Sequence, residues 1–189
     1  MIEVRAMRMN DVPRLSEIDP GFVSDSVLEV RKSGSGLNTG WQLVERRLAT
    51  PFDKGRRYHL LESDLAEIRE RMAKGRGFHL IALDDSERVA GMLDLALEAW
   101  NNTALLWFIL VDNAFRGRGL GRHMFSLAVD YARRHGIRAL IIETQSNNVP
   151  ACRFYAALGC ELVGLNDIFY SNEDLEQEEV ALFWAYRLE

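Results

Sequence analysis

Ile2, Val4 and Ala6 alternate with charged neighbours, which predicts an opening strand. Asn10 or Asp11 is then expected to cap a short helix, with Pro13 in its first turn and Leu15 and Ile18 facing inward. Val27 to Arg31 and Trp41 to Leu48 read as strands on either side of a loop containing Ser33, Gly34, Ser35 and Gly36. Glu62 or Ser63 opens a helix that keeps Leu65, Ile68 and Met72 on one face and closes near Gly75 or Gly77.

The pattern sharpens downstream. Phe78 to Leu83 and Arg88 to Glu98 are apolar runs joined at Asp84, Asp85 and Ser86, the chemistry of a hairpin turn. Leu105 to Val111 is almost wholly apolar, as expected of a strand buried on both faces. Gly119 to His135 repeats Leu120, Met124, Leu127 and Tyr131 along one helical stripe, and Gly136 ends it. Ala139 to Glu143 predicts a strand. Asn147 or Asn148 then caps a helix that carries Pro150 in its first turn and stops at Gly159. Cys160 to Gly164 and Val180 to Leu188 supply the last strands. This order predicts a mixed sheet with helices on its faces, and the break between Val111 and Gly121 is where a ligand is expected.

Composition narrows the class. The chain has 189 residues, 48% hydrophobic and 27% charged, with a formal charge of −5. One globular domain over residues 1–189 is expected, without need of metal or disulfide. No run of about 18 apolar residues predicts a membrane span, and Met1 to Asn10 lacks the apolar core of a signal peptide. Cys152 and Cys160 are too few for a disulfide framework, and His59, His79, His123 and His135 lack metal spacing. These readings predict a reduced, cytoplasmic protein with no metal, no membrane partner and no nucleic-acid partner. Charge is unevenly spread: Arg116 to Arg138 holds six arginines and one acid, whereas Asn166 to Glu189 holds seven acids and one base. The first segment suggests an anion site and the second a preference for cations; two solvated faces of opposite sign remain the plainer alternative.

The run Arg116, Gly117, Arg118, Gly119, Leu120 and Gly121 lies between a strand and the start of a long helix. Its glycines permit a tight turn. The first helical amides lack internal acceptors, and the helix dipole favours negative charge there. With Arg116, Arg118 and Arg122 as charged donors, the segment is expected to cradle a pyrophosphate. The spacing G-x-G-x-G departs from the dinucleotide fingerprint, and Arg122 with His123 stands where a nucleotide P-loop needs Lys-Ser/Thr. A structural glycine turn is the remaining alternative.

These residues resemble the GCN5-related N-acetyltransferase family, whose acetyl-coenzyme A loop Gln/Arg-x-x-Gly-x-Gly/Ala is matched by Arg116, Gly119 and Gly121. Asn148, Ala151, Tyr155 and Leu158–Gly159 resemble the family's second segment. Within the family, Phe22 to Val27, Trp100–Asn101, Gly164–Leu165, Tyr170 and the Arg5 to Ile18 stretch are similar to streptothricin acetyltransferases. The resemblance implies an α+β (mixed α/β) fold: a central mixed, mostly antiparallel sheet, splayed between two parallel strands and flanked by about four helices. It implies a coenzyme-binding core over about residues 78–165 and acceptor-side segments over about 20–60 and 166–180.

It also implies acetyl-coenzyme A as co-substrate and a direct transfer to a primary amine. The backbone of Ile109, Leu110 and Val111 would hold the pantetheine arm. Arg116, Gly117, Arg118, Gly119, Leu120, Gly121, Arg122, Asn148 and Tyr155 would bind the coenzyme, with Tyr155 as general acid toward the departing thiolate. Where many relatives carry an acid, this chain has Trp107 and Phe108. Glu98 and Glu143 are therefore the base candidates, with Asp94 beside them. Trp100, Asn101 and Tyr170 are candidate acceptor contacts. Cys152 reads as a core residue rather than an acyl carrier. The acceptor is expected to be a small-molecule amine, streptothricin-like by the acidic C-terminal segment, or else a peptide or protein amine. A non-catalytic coenzyme A-binding regulatory domain is the contrasting reading, and a monomer or homodimer is expected.

Overall fold

The computed structural model describes residues 1–55 and 59–188. Among the described residues nine strands are formed: β1 (Ile2–Ala6), β2 (Val23–Ser33), β3 (Gly40–Asp53), β4 (Gly77–Asp84), β5 (Val89–Glu98), β6 (Thr103–Val111), β7 (Ala139–Gln145), β8 (Glu161–Asn166) and β9 (Ala181–Arg187). Three α-helices accompany them: α1 (Glu62–Lys74), α2 (Leu120–Arg134) and α3 (Val149–Ala157). A nine-residue 3-10 helix runs from Met9 to Glu17. Seven strands form one sheet in the order β1-β4-β5-β6-β7-β9-β8, and β2 pairs with β3 in a separate ribbon. Of the registered pairs only β6–β7 is parallel, so the mixed, mostly antiparallel sheet expected from the resemblance is present.

The chain divides into two compact units. The first comprises residues 1–21, 55–142 and 186–189. On one face of its sheet the 3-10 helix and α1 bury Val12, Leu15, Leu65 and Ile68 against Ile81, Leu83, Met92 and Leu110. Each such side chain, taken fully out of water, contributes about 1.5–3 kcal/mol. The stripe of α2 buries Leu120, Met124, Phe125, Ala128, Val129 and Ala132. Gly91 of β5 permits this approach: an added Cβ would stand 2.6 Å from the Leu110 carbonyl oxygen and 3.3 Å from Met124 Cε. The second unit comprises residues 22–54 and 143–185. In it α3 packs on β2, and Leu28 N–H donates to the Ser146 carbonyl at 2.9 Å.

Several sequence expectations are corrected. Neither Asn10 nor Asp11 is the N-cap of the first helix. Arg8 is, and the Asp11 carboxylate at the third helical position accepts the Arg8 backbone N–H at 2.7 Å. Asp11 is held there by Arg5, whose guanidinium keeps its pKa below the usual carboxylate value against the opposing effect of burial. The ribbon strands extend well beyond Val27–Arg31 and Trp41–Leu48, because their ladder runs from Val23↔Asp53 to Ser33↔Gly40. The strand buried along most of its length is β5; in β6, Trp107 is 45% exposed.

Candidate active site

The departure in β6 has a local cause. Asp94 of β5 pairs with Phe108, but its neighbour Leu95 pairs with Leu106, so Trp107 is an extra residue in β6 and makes a β-bulge. A bulge bends its strand and locally disrupts the ladder. The parallel register with β7 runs from Thr103↔Ala139 to Leu106↔Ile142, ending at the residue before the bulge. Within the first unit Trp107 to Val111 have no registered partner on β7. The Leu110 carbonyl faces Gly91 on β5. Strand alternation then directs the amide groups of Ile109 and Val111 to the open side. The Ile109 N–H and C=O and the Val111 N–H therefore face away from β5, whereas Leu110 is turned into the ladder.

Beyond β6 the chain turns on Asp112. Its buried carboxylate accepts Ala114 N–H at 2.9 Å and Asp19 N–H at 2.9 Å, capping the 3-10 turn Asn113–Phe115. Sequence reading missed this residue, although Asp two positions before Ala114 is an Asx-turn signal. Gly117 and Gly119 take φ of +74° and +81°, and an added Cβ at either would meet nothing within 4 Å. The glycines therefore serve left-handed backbone at an open surface rather than close packing. Gly119 is the N-cap of α2, so the free amides of the first helical turn, from Leu120 onward, lie at this surface. Arg122 is exposed, and the Arg118 guanidinium lies 5.6 Å from the centre of the Phe115 ring. Left-handed glycines, helix-start amides and the cations Arg118 and Arg122 suit a pyrophosphate.

Arg116 plays another part than the expected phosphate donor. Its Nε donates to the Val111 carbonyl at 3.0 Å, and its two terminal nitrogens to Gly21 and Pro20 carbonyls at 2.7 Å each. The guanidinium thus ties the end of β6 to residues 20–21 and sets the entry angle of the loop.

Asp94 is a satisfied structural carboxylate. It is fully buried, with His79 Nδ1 at 2.8 Å from one oxygen and Arg71 Nε at 2.8 Å from the other. Arg71 in turn stacks on Trp107, 4.7 Å from the ring centre. Glu98, Trp100 and Asn101 lie at the other end of β5 and β6 from the loop. Glu98 pairs with Thr103, the first residue of β6, eight residues before Val111 and hence about 25 Å along the strand. Asn101 uses its side-chain oxygen on Thr103, which shapes the β5–β6 turn.

In the second unit the remaining base candidate, Glu143, stands on β7 and accepts a hydrogen bond from the Tyr170 hydroxyl. Burial pushes its carboxyl above the usual range, only partly opposed by the Tyr170 donor and by Lys54. Lys54 is itself ion-paired with Glu179. Asn148 caps α3, its side-chain oxygen accepting Ala151 N–H at 3.2 Å. Tyr155 is 7% exposed, with Phe154 and Trp184 rings at 5.3 and 6.5 Å between centroids. Burial pushes the Cys152 thiol up to about 12 and the Cys160 thiol up to about 11, which suits inert core residues. Asp174, noticed in sequence only as one acid among seven, is 1% exposed and organises the loop that carries Tyr170. Among the described residues, no group of three or more His, Cys, Asp or Glu side chains is placed to hold a metal ion, and no helix is long and apolar enough to cross a membrane.

Comparison with known proteins agrees with this architecture. Streptothricin acetyltransferase A of Bacillus subtilis (strain 168) is 28% identical over 150 residues, covering 79% of this chain and 82% of the relative. The streptothricin acetyltransferase of Streptomyces lavendulae is 29% identical over 178 residues, covering 93% and 90%. Among solved structures, a candidate streptothricin acetyltransferase of Bacillus anthracis str. Ames in complex with acetyl coenzyme A superposes with a TM-score of 0.77 at 25% identity, covering 100% of this chain and 98% of that one. The family model described as Acetyltransferase (GNAT) family matches residues 41–160. The chain belongs to the GNAT family of acetyltransferases, which take their acyl group from acetyl-coenzyme A.

Proposed function

We propose that this protein moves an acetyl group from acetyl-coenzyme A to a primary amine of a small polycationic acceptor of the streptothricin type, with residues 1–189 acting as one catalytic domain in the cytoplasm. The observation that carries the reading is the pairing of an open β6 edge, at Ile109 and Val111, with the glycine-rich start of α2. The names of the similar proteins support the acceptor class, and the acids of residues 166–179 support attraction of a cation. Two unpaired, buried thiols are in keeping with a reducing compartment.

Bound acetyl-coenzyme A supplies a thioester carbonyl. The amides of Gly117 to Arg122 and the cations Arg118 and Arg122 hold the pyrophosphate, while Asn148 adds a contact and Arg116 keeps the loop in place. On an extended strand the N–H groups of Ile109 and Val111 are about 6.7 Å apart, so one donates to the oxygen on which negative charge develops while the other holds the pantetheine arm. Such an oxyanion donor is worth about 3–4 kcal/mol. An ordinary amine has a pKa near about 10.4, so it must shed a proton before attack. Glu143 takes that proton, since its raised pKa makes the carboxylate a better acceptor than a solvated one. As the new C–N bond forms and the C–S bond breaks, Tyr155 gives its phenol proton to the thiolate and is reprotonated from solvent, into which the second proton of the former amine nitrogen is released. Products are an amide and a free thiol.

The test is consumption of acetyl-coenzyme A with streptothricin, a panel of small amines and lysine peptides, with products read by mass spectrometry. Singly acetylated streptothricin supports the proposal. Acetylation of peptides alone moves the acceptor to polypeptide amines, and coenzyme binding without turnover on any amine leaves only a binding domain.

A further inference from the structure

Glu143 does not stand by itself: a loop folded around a second carboxylate delivers a hydroxyl to it. That loop joins β8 to β9. Near its start Ile168 N–H bonds to the Asn166 side chain at 3.0 Å, and the Phe169 ring meets Phe183 of β9 edge-on at 5.7 Å. Next the Asp174 carboxylate, almost fully buried, accepts Tyr170 N–H at 2.9 Å, Ser171 N–H at 2.7 Å and Ser171 Oγ–H at 2.8 Å. At the loop's end the Ser146 hydroxyl bridges it to β7: it donates to the Glu178 carbonyl at 3.0 Å and accepts Val180 N–H at 3.0 Å. Ser146 lies just beyond the strand that carries Glu143. Both ends of the loop are therefore fixed, and what they present is the Tyr170 hydroxyl on Glu143 Oε1.

Burying a carboxylate costs free energy unless its lone pairs are used. Asp174 uses three N–H and O–H donors and so repays that cost by specifying one loop conformation. A residue kept inside for packing alone would not need to be charged.

We propose that Asp174 and Tyr170 are positioning residues for the transfer reaction: Asp174 folds the loop, and the Tyr170 hydroxyl holds Glu143 Oε1 so that Oε2 is left to accept the proton of the acceptor amine. This rests on Glu143 being the base and adds to it which oxygen acts and what orients it. Tyr170 thereby serves the base, beyond the acceptor contact expected from sequence. Glu143 has other charged neighbours to consider. Lys54 lowers its pKa and Glu179 raises it, while Cys152 stays a neutral thiol at working pH. Each remains in place when Tyr170 loses only its hydroxyl.

The measurement is a carbon-13 carboxyl NMR titration of the full-length protein, with the Glu143 signal assigned by its loss in Glu143→Gln. In Tyr170→Phe the donor that favours the charged form is gone, so the Glu143 midpoint should rise by about one pH unit. In Asp174→Asn the same midpoint should move the same way, and the double variant should move no further than Tyr170→Phe alone. An unchanged midpoint in Tyr170→Phe overturns the proposal, and that variant keeps the test valid if Asp174→Asn fails to fold. A merely structural Asp174 lowers the melting temperature but leaves the Glu143 midpoint where it was, which also overturns its part. The base assignment fails separately: Glu143→Gln then retains the acid limb of the kcat/KM profile, whatever the NMR midpoints do.

Discussion

Arg116 reaches the carbonyl oxygen of Gly21 at 2.7 Å, across 95 positions of sequence. The same guanidinium holds Pro20 and Val111, so a residue that sequence reading assigned to the ligand is spent on the protein's own backbone. It fixes where the glycine turn before α2 begins. Arg116→Met should destabilise the fold by about 2 kcal/mol, because three carbonyls lose a charged donor at a partly exposed site. It should also raise the KM for acetyl-coenzyme A more than it lowers kcat. Chemical denaturation and steady-state kinetics read both effects.

Gly119 and Gly91 are glycines for different reasons, and alanine separates them. Gly119 needs its positive φ but has open space around it, so Gly119→Ala should cost only about 1–2 kcal/mol while weakening coenzyme binding tenfold or more. Gly91 has ordinary backbone but no room beside the Leu110 carbonyl. Gly91→Ala should destabilise the unit that contains β5 and α2 by about 1–3 kcal/mol, with a smaller effect on coenzyme affinity per molecule still folded. Calorimetric titration beside thermal melts distinguishes the two.

Asp94 holds together Arg71, His79 and, through Arg71, the bulged Trp107. Removing one partner of a buried ion pair leaves an uncompensated charge, so Asp94→Asn should cost about 3 kcal/mol in urea unfolding. Were Asp94 the base instead, the folded fraction would lose turnover outright and the stability change would be small.

Glu143 and Tyr155 should separate by their pH behaviour. Burial raises the Glu143 pKa, and a base must be ionised to act, so kcat/KM should climb with pH through a midpoint above the solvated value of about 4.3. Glu143→Gln should abolish that limb. Tyr155→Phe should keep the acid limb and coenzyme affinity while cutting kcat by about 100-fold, the scale of a lost general acid. The two profiles, taken at saturating acetyl-coenzyme A, check the assignment.

Elements with strong local signals were legible in sequence. The stripe and bounding glycines of α2 fixed its length to within a residue or two, and Asn148 with Pro150 marked the start of α3. The glycine turn before α2 was legible for the same reason, since left-handed glycines before a helix are a local property. What failed was non-local. A bulge at Trp107 depends on how β5 pairs with β6, and nothing in an apolar run reveals a two-against-one register. Glu98 is a base candidate because Trp107 and Phe108 stand where relatives carry an acid, and Trp100 and Asn101 are candidates by resemblance. Sequence does not reveal that all three sit at the far end of β5 and β6 from the glycine turn. Asp174 differed from its acidic neighbours only by Ser171 three positions before it, a weak turn signal whose meaning lies in burial.

The central claim is that the turn from Arg116 to Arg122 holds the diphosphate of the acyl donor. A nitrogen-15 NMR titration of the protein with coenzyme A tests it most directly. The amides of Gly117, Gly119, Leu120, Gly121 and Arg122 should show the largest shifts, and Gly119→Ala should weaken the saturation curve tenfold or more. Saturable binding that leaves those five amides unmoved, or no binding at all, would contradict the account.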